Sequence, residues 1–143
     1  MVLISWIIFL ILSVVSGVHI GWAFGMAWPA HSRAKLGSVV AGVAEGKPMP
    51  PAWLTFIVAL AIFGLGAAAL WGAGVISVST LGAYKGWVLI SITIVFFARG
   101  VLTYLPFGPL QAAVQPFRTL DLRYFAPLCL LLAAGYVTIY LGL

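Results

Sequence analysis

Polar and charged residues cluster at only three places along this chain. Between them run four apolar stretches, at about residues 3–26, 53–77, 86–105 and 125–143. Crossing the roughly 30 Å hydrocarbon layer of a bilayer takes about 20 mostly apolar residues in a helix, so each stretch spans or nearly spans. Lipid offers no hydrogen-bond partners, so each span must satisfy its own backbone N–H and C=O groups as a helix. The pattern predicts an all-α fold, a single domain over 1–143, arranged as an integral membrane bundle of four antiparallel transmembrane helices. The first break carries Pro29, Arg33, Lys35, Lys47 and the run Pro48-Met49-Pro50-Pro51, with a segment from Leu36 to Ala44 apolar enough for the membrane interface. The second is a short connection centred on Ser79 to Lys85. The third carries Pro106, Pro109, Pro116, Arg118, Asp121 and Arg123.

Composition removes the soluble alternatives. Hydrophobic residues make up 64% of the chain and charged ones 6%, against about 25% charged in soluble domains. No polar stretch is long enough for an appended soluble domain. The first run has no Lys or Arg before it and exceeds the roughly 7–15-residue apolar core of a signal peptide, so it is read as a span. The net charge of +5 would suggest nucleic acid in a soluble protein. Here the basic residues flank apolar runs, where they set topology and attract anionic headgroups, and no nucleic-acid partner is expected. Arg33, Lys35, Lys47, Arg118 and Arg123 fall in the first and third loops, and Lys85 alone falls in the second. An excess of basic residues marks the cytoplasmic side. Both long loops are therefore expected in the cytoplasm and both termini outside, in a multi-pass protein of a bacterial plasma (inner) membrane.

Small residues recur at helical spacing. Gly17, Gly21 and Gly25 form one stripe, and Gly64, Ala68 and Gly72 another. Such stripes let helix backbones approach closely in lipid, so both are expected to be packing faces.

An ionisable side chain inside a span is costly and needs a partner or a purpose. His19 and Arg99 are the two that qualify. His19 lies nine residues before Trp28 and Arg99 seven before Pro106, which places both about 10–13 Å below the same membrane face at 1.5 Å per residue. His19 shares a helix face with Trp22 and Met26. Thr103 follows Arg99 by four residues, with Tyr104 beside it, and Asp121 and Tyr124 stand where the fourth span begins. His19, Trp22, Arg99, Thr103, Tyr104, Asp121 and Tyr124 can therefore line one polar pocket. Each also has a structural reading: Arg99 snorkelling or clamped to Asp121, His19 bonded to a carbonyl, Asp121 capping the fourth helix, and the Trp and Tyr residues forming an interfacial belt. Cys129 reads as a small buried apolar side chain.

Several activities lack their equipment. A disulfide-exchange enzyme needs a cysteine pair, and Cys129 is alone. Bis-histidine haem needs a second histidine at membrane depth, whereas His31 falls in a loop. A metal site needs more ligands than the spans offer. A small proton-coupled exporter needs an acid within a span, and Glu45 and Asp121 both fall in loops on this reading. No Ser-His-Asp set and no phosphate-cradling glycine loop is present. No catalytic residue, metal or cofactor is expected.

The segment Gln115-Pro116-Phe117-Arg118-Thr119-Leu120-Asp121-Leu122-Arg123-Tyr124-Phe125-Ala126-Pro127-Leu128-Cys129-Leu130 resembles the C-terminal signature of a family of small four-span bacterial membrane proteins, known only as a domain of unknown function. His19-Ile20-Gly21-Trp22-Ala23-Phe24-Gly25 is similar to its N-terminal signature, and Arg99-Gly100 with Tyr104-Leu105-Pro106 fits its third helix. The resemblance covers nearly the whole chain and departs in the more polar second half of the first loop. It implies that His19, Trp22, Arg99, Asp121, Tyr124 and Cys129 matter together, and it supplies no activity.

Two functions remain open. One is binding of an anionic or carbonyl-bearing amphiphile (a lipid, fatty acid, isoprenoid or quinone) in a polar pocket of the cytoplasmic leaflet. The other is an accessory or assembly subunit of a larger membrane protein complex, with the glycine faces as docking surfaces.

Overall fold

The computed structural model describes residues 1–44, 47–107 and 112–143; Glu45 and Pro109, both read above as loop residues, lie outside them. The described residues form α1 (Val2–Ala23), α2 (Arg33–Val40), α3 (Ala52–Gly72), α4 (Lys85–Leu102), α5 (Phe117–Leu120) and α6 (Ala126–Tyr140). A 3-10 turn at Ser79–Tyr84 leads into α4, and a π turn at Asp121–Phe125 joins α5 to α6. Four segments are long and apolar enough to cross a membrane: Val2–Ala23, Ala52–Gly72, Ser79–Leu102 and Phe117–Tyr140. The fold is the all-helical, four-span bundle that the apolar runs predict.

Several boundaries move, three of them for a clear local reason. The first span stops at Ala23 because Gly25 takes φ +101°, a left-handed conformation that glycine adopts without a Cβ clash. The Met26 N–H then bonds the Gly21 carbonyl and the Gly25 N–H the Trp22 carbonyl, the paired bonds of a Schellman C-terminus. The second span ends at Gly72 in the same way: Gly74 has φ +75°, and the Val75 and Gly74 N–H groups bond the Leu70 and Trp71 carbonyls. The fourth begins at Phe117 and not at 125, because the π turn lets the helical path continue backward through the polar segment.

The spans pack chiefly as two antiparallel hairpins, α1 with α3 and α4 with α6. Ser16 Oγ donates to the Ala59 carbonyl at 2.8 Å, and a Cβ on Gly66 would already touch Phe9 and Leu12. Between the hairpins lies a core of Ile8, Leu12, Ala69, Leu89, Ile92, Leu132, Tyr136 and Ile139. The fully buried Tyr136 donates its hydroxyl to the Leu65 carbonyl at 2.6 Å. That bond ties α6 to α3, across the two hairpins.

The glycine stripes do less packing than their spacing suggests. Gly17 and Gly64 have nothing near the position of a Cβ, Gly21 faces the Met26 side chain of its own turn, and Gly25 serves the helix end. Gly17 lies on the outward face of α1 with the exposed Leu10 and Val14. In the second stripe Ala68 packs against the core and Gly72 meets Leu89 and Ile139. The close approach within the first hairpin runs instead through Ser16, Ala59 and Gly66.

The long loops meet at one end of the bundle. The interfacial segment contributes α2, whose Leu36 is fully buried. The Val114 N–H donates to the Gly42 carbonyl at 3.0 Å, joining the first loop to the third.

Candidate functional site

The last turn of α4 carries Arg99, and Thr103 stands four residues on, so both side chains occupy one helix face. Opposite them is Asp121. Arg99 Nη2 donates to Asp121 Oδ1 at 2.6 Å, and Nη1 donates to Thr103 Oγ1 at 2.8 Å and to Asp121 Oδ2 at 3.5 Å. The Thr103 hydroxyl in turn donates to Asp121 Oδ2 at 2.8 Å. The three side chains close a ring of charge-assisted hydrogen bonds, the stronger class of such bonds. Thr103 and Asp121 are fully buried, whereas the Arg99 side chain is 34% exposed.

A change of helical register accompanies the inward-facing Asp121. The Ala126 N–H bonds the Asp121 carbonyl, five residues back, so the helix widens by one residue there. Pro127 has no N–H to give the Arg123 carbonyl its ordinary i−4 partner, and the π turn falls immediately before it. Inserted π turns of this kind are frequent at functional sites. Two readings of Asp121 are corrected. It makes no cap bond at a helix start, and it lies inside the fourth span, Phe117–Tyr140. The case against a proton-coupled exporter cannot rest on its lying in a loop; what the structure has in its place is a carboxylate committed to Arg99 and Thr103.

Arg118 braces the ring from the loop side, donating from Nη1 to the Thr103 carbonyl at 3.0 Å. The sequence marks Arg118 only as a topological charge; its spacing from Thr103 gives no hint of the contact. The Tyr104 hydroxyl donates to the Leu122 carbonyl at 3.1 Å, and its ring, like that of Tyr124, is exposed. Cys129 lies half-buried on α6 as a free thiol. Of the two guanidinium groups, Arg99 bonds the Asp121 carboxylate and Arg118 the Thr103 backbone carbonyl.

His19 and Trp22 belong to a second cluster, where α1 turns into the first loop. His19 Nδ1 lies 2.8 Å from the Val15 carbonyl. A carbonyl only accepts, so Nδ1 is the donor in this bond. The His19 and Trp22 rings lie 4.6 Å apart. Trp22 Nε1 donates to the Trp28 carbonyl at 2.6 Å, and Arg33 Nη1 to the Trp22 carbonyl at 3.0 Å. Both clusters sit at the loop end of the bundle, on α1 and α4, which belong to different hairpins. Among the described residues no hydrogen bond, ion pair or ring contact joins His19 to Arg99. Arg99, Thr103 and Asp121 are brought together; His19 and Trp22 stand beside one another, apart from that ring.

Two of the cavities among the described residues are notable, neither lined by His19 or Arg99. One, of about 430 Å³, lies between the loops and is lined by Pro29, His31, Lys35, Ser38, Gln115 and Pro116 among others. The other, of about 280 Å³, is an apolar groove between Ile4, Ile8 and Ile11 of α1 and Leu128, Leu132 and Gly135 of α6.

Neither a curated protein nor a solved structure matches the chain. A family model does, over residues 12–136, a stretch that takes in both clusters and all four spans in whole or in large part. The chain belongs to the family described as protein of unknown function (DUF3995).

Proposed function

We propose that this membrane protein binds an anionic amphiphile whose headgroup rests at the exposed edge of Arg99. The observation that carries the reading is the exposed edge of Arg99: the side chain pairs with the buried Asp121 carboxylate and is still 34% exposed. The one-third-exposed Arg99 still has N–H donors beyond the three bonds it makes to Thr103 and Asp121. A phosphate or carboxylate head fits those donors, with the exposed rings of Tyr104 and Tyr124 beside it. His19 and Trp22 would wall the same leaflet from α1.

Native mass spectrometry of the purified protein tests this. The wild type should carry an anionic lipid that survives activation in the gas phase. Arg99→Lys, which keeps a positive charge for Asp121 and gives up the outward guanidinium N–H donors, should stay folded and lose that lipid. His19→Gln preserves a donor for the Val15 carbonyl, so a loss of lipid without a loss of melting temperature would assign His19 to the site. A wild type that carries no lipid, or an Arg99→Lys variant that carries as much, overturns the proposal.

The unoccupied surroundings of Gly17 and Gly64 favour a second reading, an accessory subunit that lays these faces against a larger membrane complex. A foreign chain retained in place of lipid in the same spectra would select it.

For orientation we propose both long loops in the cytoplasm of a bacterial plasma membrane, on the five-to-one distribution of Arg33, Lys35, Lys47, Arg118 and Arg123 against Lys85 between the two ends of the bundle. An impermeant thiol reagent added to intact cells should label a Gly82→Cys variant and spare Lys47→Cys. The reverse pattern inverts the topology.

A further inference from the structure

The groove between the two long loops presents hydrogen-bond donors and, among the described residues, no acid. On one side stands α2, with Lys35 in its first turn, His31 just before it and Ser38 one turn on. On the other stands Gln115. The Gln115 Oε1 accepts from the Thr119 backbone N–H at 3.3 Å and from the Thr119 hydroxyl at 2.8 Å. A backbone N–H can only donate, so the amide cannot be turned over, and its NH2 group remains as the free donor. The Ser38 hydroxyl is occupied, donating to the Lys35 carbonyl at 2.8 Å. The Lys35 ammonium makes no ion pair among the described residues. The chain has two acids: Asp121 is locked against Arg99, and Glu45 lies outside the described residues.

We infer that this groove is a binding site for a phosphate-bearing small group, separate from the Arg99 ring and independent of the reading given for it. The Lys35 ammonium supplies charge, and the Gln115 amide and the His31 ring supply directed contacts from two loops that only the fold brings together. At about 430 Å³ the groove lies within the roughly 300–1,000 Å³ of small-molecule sites, larger than a bare ion needs. The ligand is therefore a phosphomonoester or the phosphate head of a lipid. Both offer the same oxyanion chemistry, and they differ only in whether the phosphate arrives from water or from the bilayer.

Full-length protein in neutral detergent, titrated with glycerol 3-phosphate by calorimetry, and in nanodiscs containing phosphatidic acid, by native mass spectrometry, tests the site and its source. Lys35→Gln removes the charge. Gln115→Glu keeps the acceptor for Thr119 and replaces the free donor with an anion. Lys47→Gln removes the same charge outside the groove. At least one ligand should bind saturably, weaken tenfold or more in Lys35→Gln and Gln115→Glu, and be unchanged in Lys47→Gln, with all three variants melting near the wild type. Binding of glycerol 3-phosphate identifies a soluble phosphomonoester; binding of phosphatidic acid alone identifies a lipid head. Absence of saturable binding by either, or equal losses in Lys35→Gln and Lys47→Gln, overturns the inference.

Discussion

Replacing Arg99 by alanine is expected to destabilise the bundle by about 3 kcal/mol, the lower end of the roughly 3–5 kcal/mol lost when one partner of a buried ion pair is removed. The lower end applies because Arg99 itself is one-third exposed. Asp121 is not: it is fully buried, and without Arg99 it keeps only the Thr103 hydroxyl. Asp121→Ala should cost less, since the freed guanidinium can reach toward the headgroups along its aliphatic stem. The double variant should be milder than the sum of the two, with a coupling in the roughly 0.5–3 kcal/mol range of directly interacting residues. Unfolding of all four proteins in one detergent measures the cycle. Additive losses, or an Asp121→Ala variant weaker than Arg99→Ala, would mean that the ring contributes no stability in this form.

How much of that ring was legible beforehand depends on which physical signal each residue carries. Arg99 announces itself because a guanidinium within an apolar run is costly wherever it points. Thr103 follows from helical spacing alone, and Asp121 from being the nearby acid with no other cation so deep. Its position inside the fourth span is not legible, because a π turn leaves no mark in a hydropathy pattern; Pro127, which blocks an ordinary i−4 bond, is its one visible sign. Arg118 was hidden among topological charges. The four spans themselves were plain, since length and apolarity decide them. Their ends were less so: Gly25 carries the same residue type for a helix stop as for a packing face, and only the backbone φ separates the two uses. His19 and Arg99 were placed at similar depth by counting rise per residue. Counting along two helices says nothing of which helices neighbour each other, and the hairpin pairing puts these two in different hairpins.

The pairing of α4 with α6 also makes Gly100 a position where one added methyl group should be felt. A Cβ there would stand 2.6 Å from Leu130 Cδ2 and 3.1 Å from the Ala126 carbonyl oxygen. The leucine can swing aside, but the carbonyl belongs to the helix backbone, directly after the π turn that precedes Pro127. Gly100→Ala should therefore cost about 1–3 kcal/mol through overpacking, against the up to ~1 kcal/mol that alanine gains over glycine in a helix interior. Gly17→Ala isolates the second term, because nothing lies within 4 Å of the added Cβ; this variant should melt at or slightly above the wild type. Adding Leu130→Ala to Gly100→Ala should recover only the part of the loss that comes from the leucine, leaving the carbonyl contact in place. Since Ala126 bonds back to the Asp121 carbonyl, that remainder bears on the Arg99 ring, and the Gly100→Ala penalty should shrink in an Asp121→Ala background. A Gly100→Ala variant as stable as Gly17→Ala would show that α4 and α6 do not approach this closely, and the Arg99–Asp121 geometry would lose its support with them.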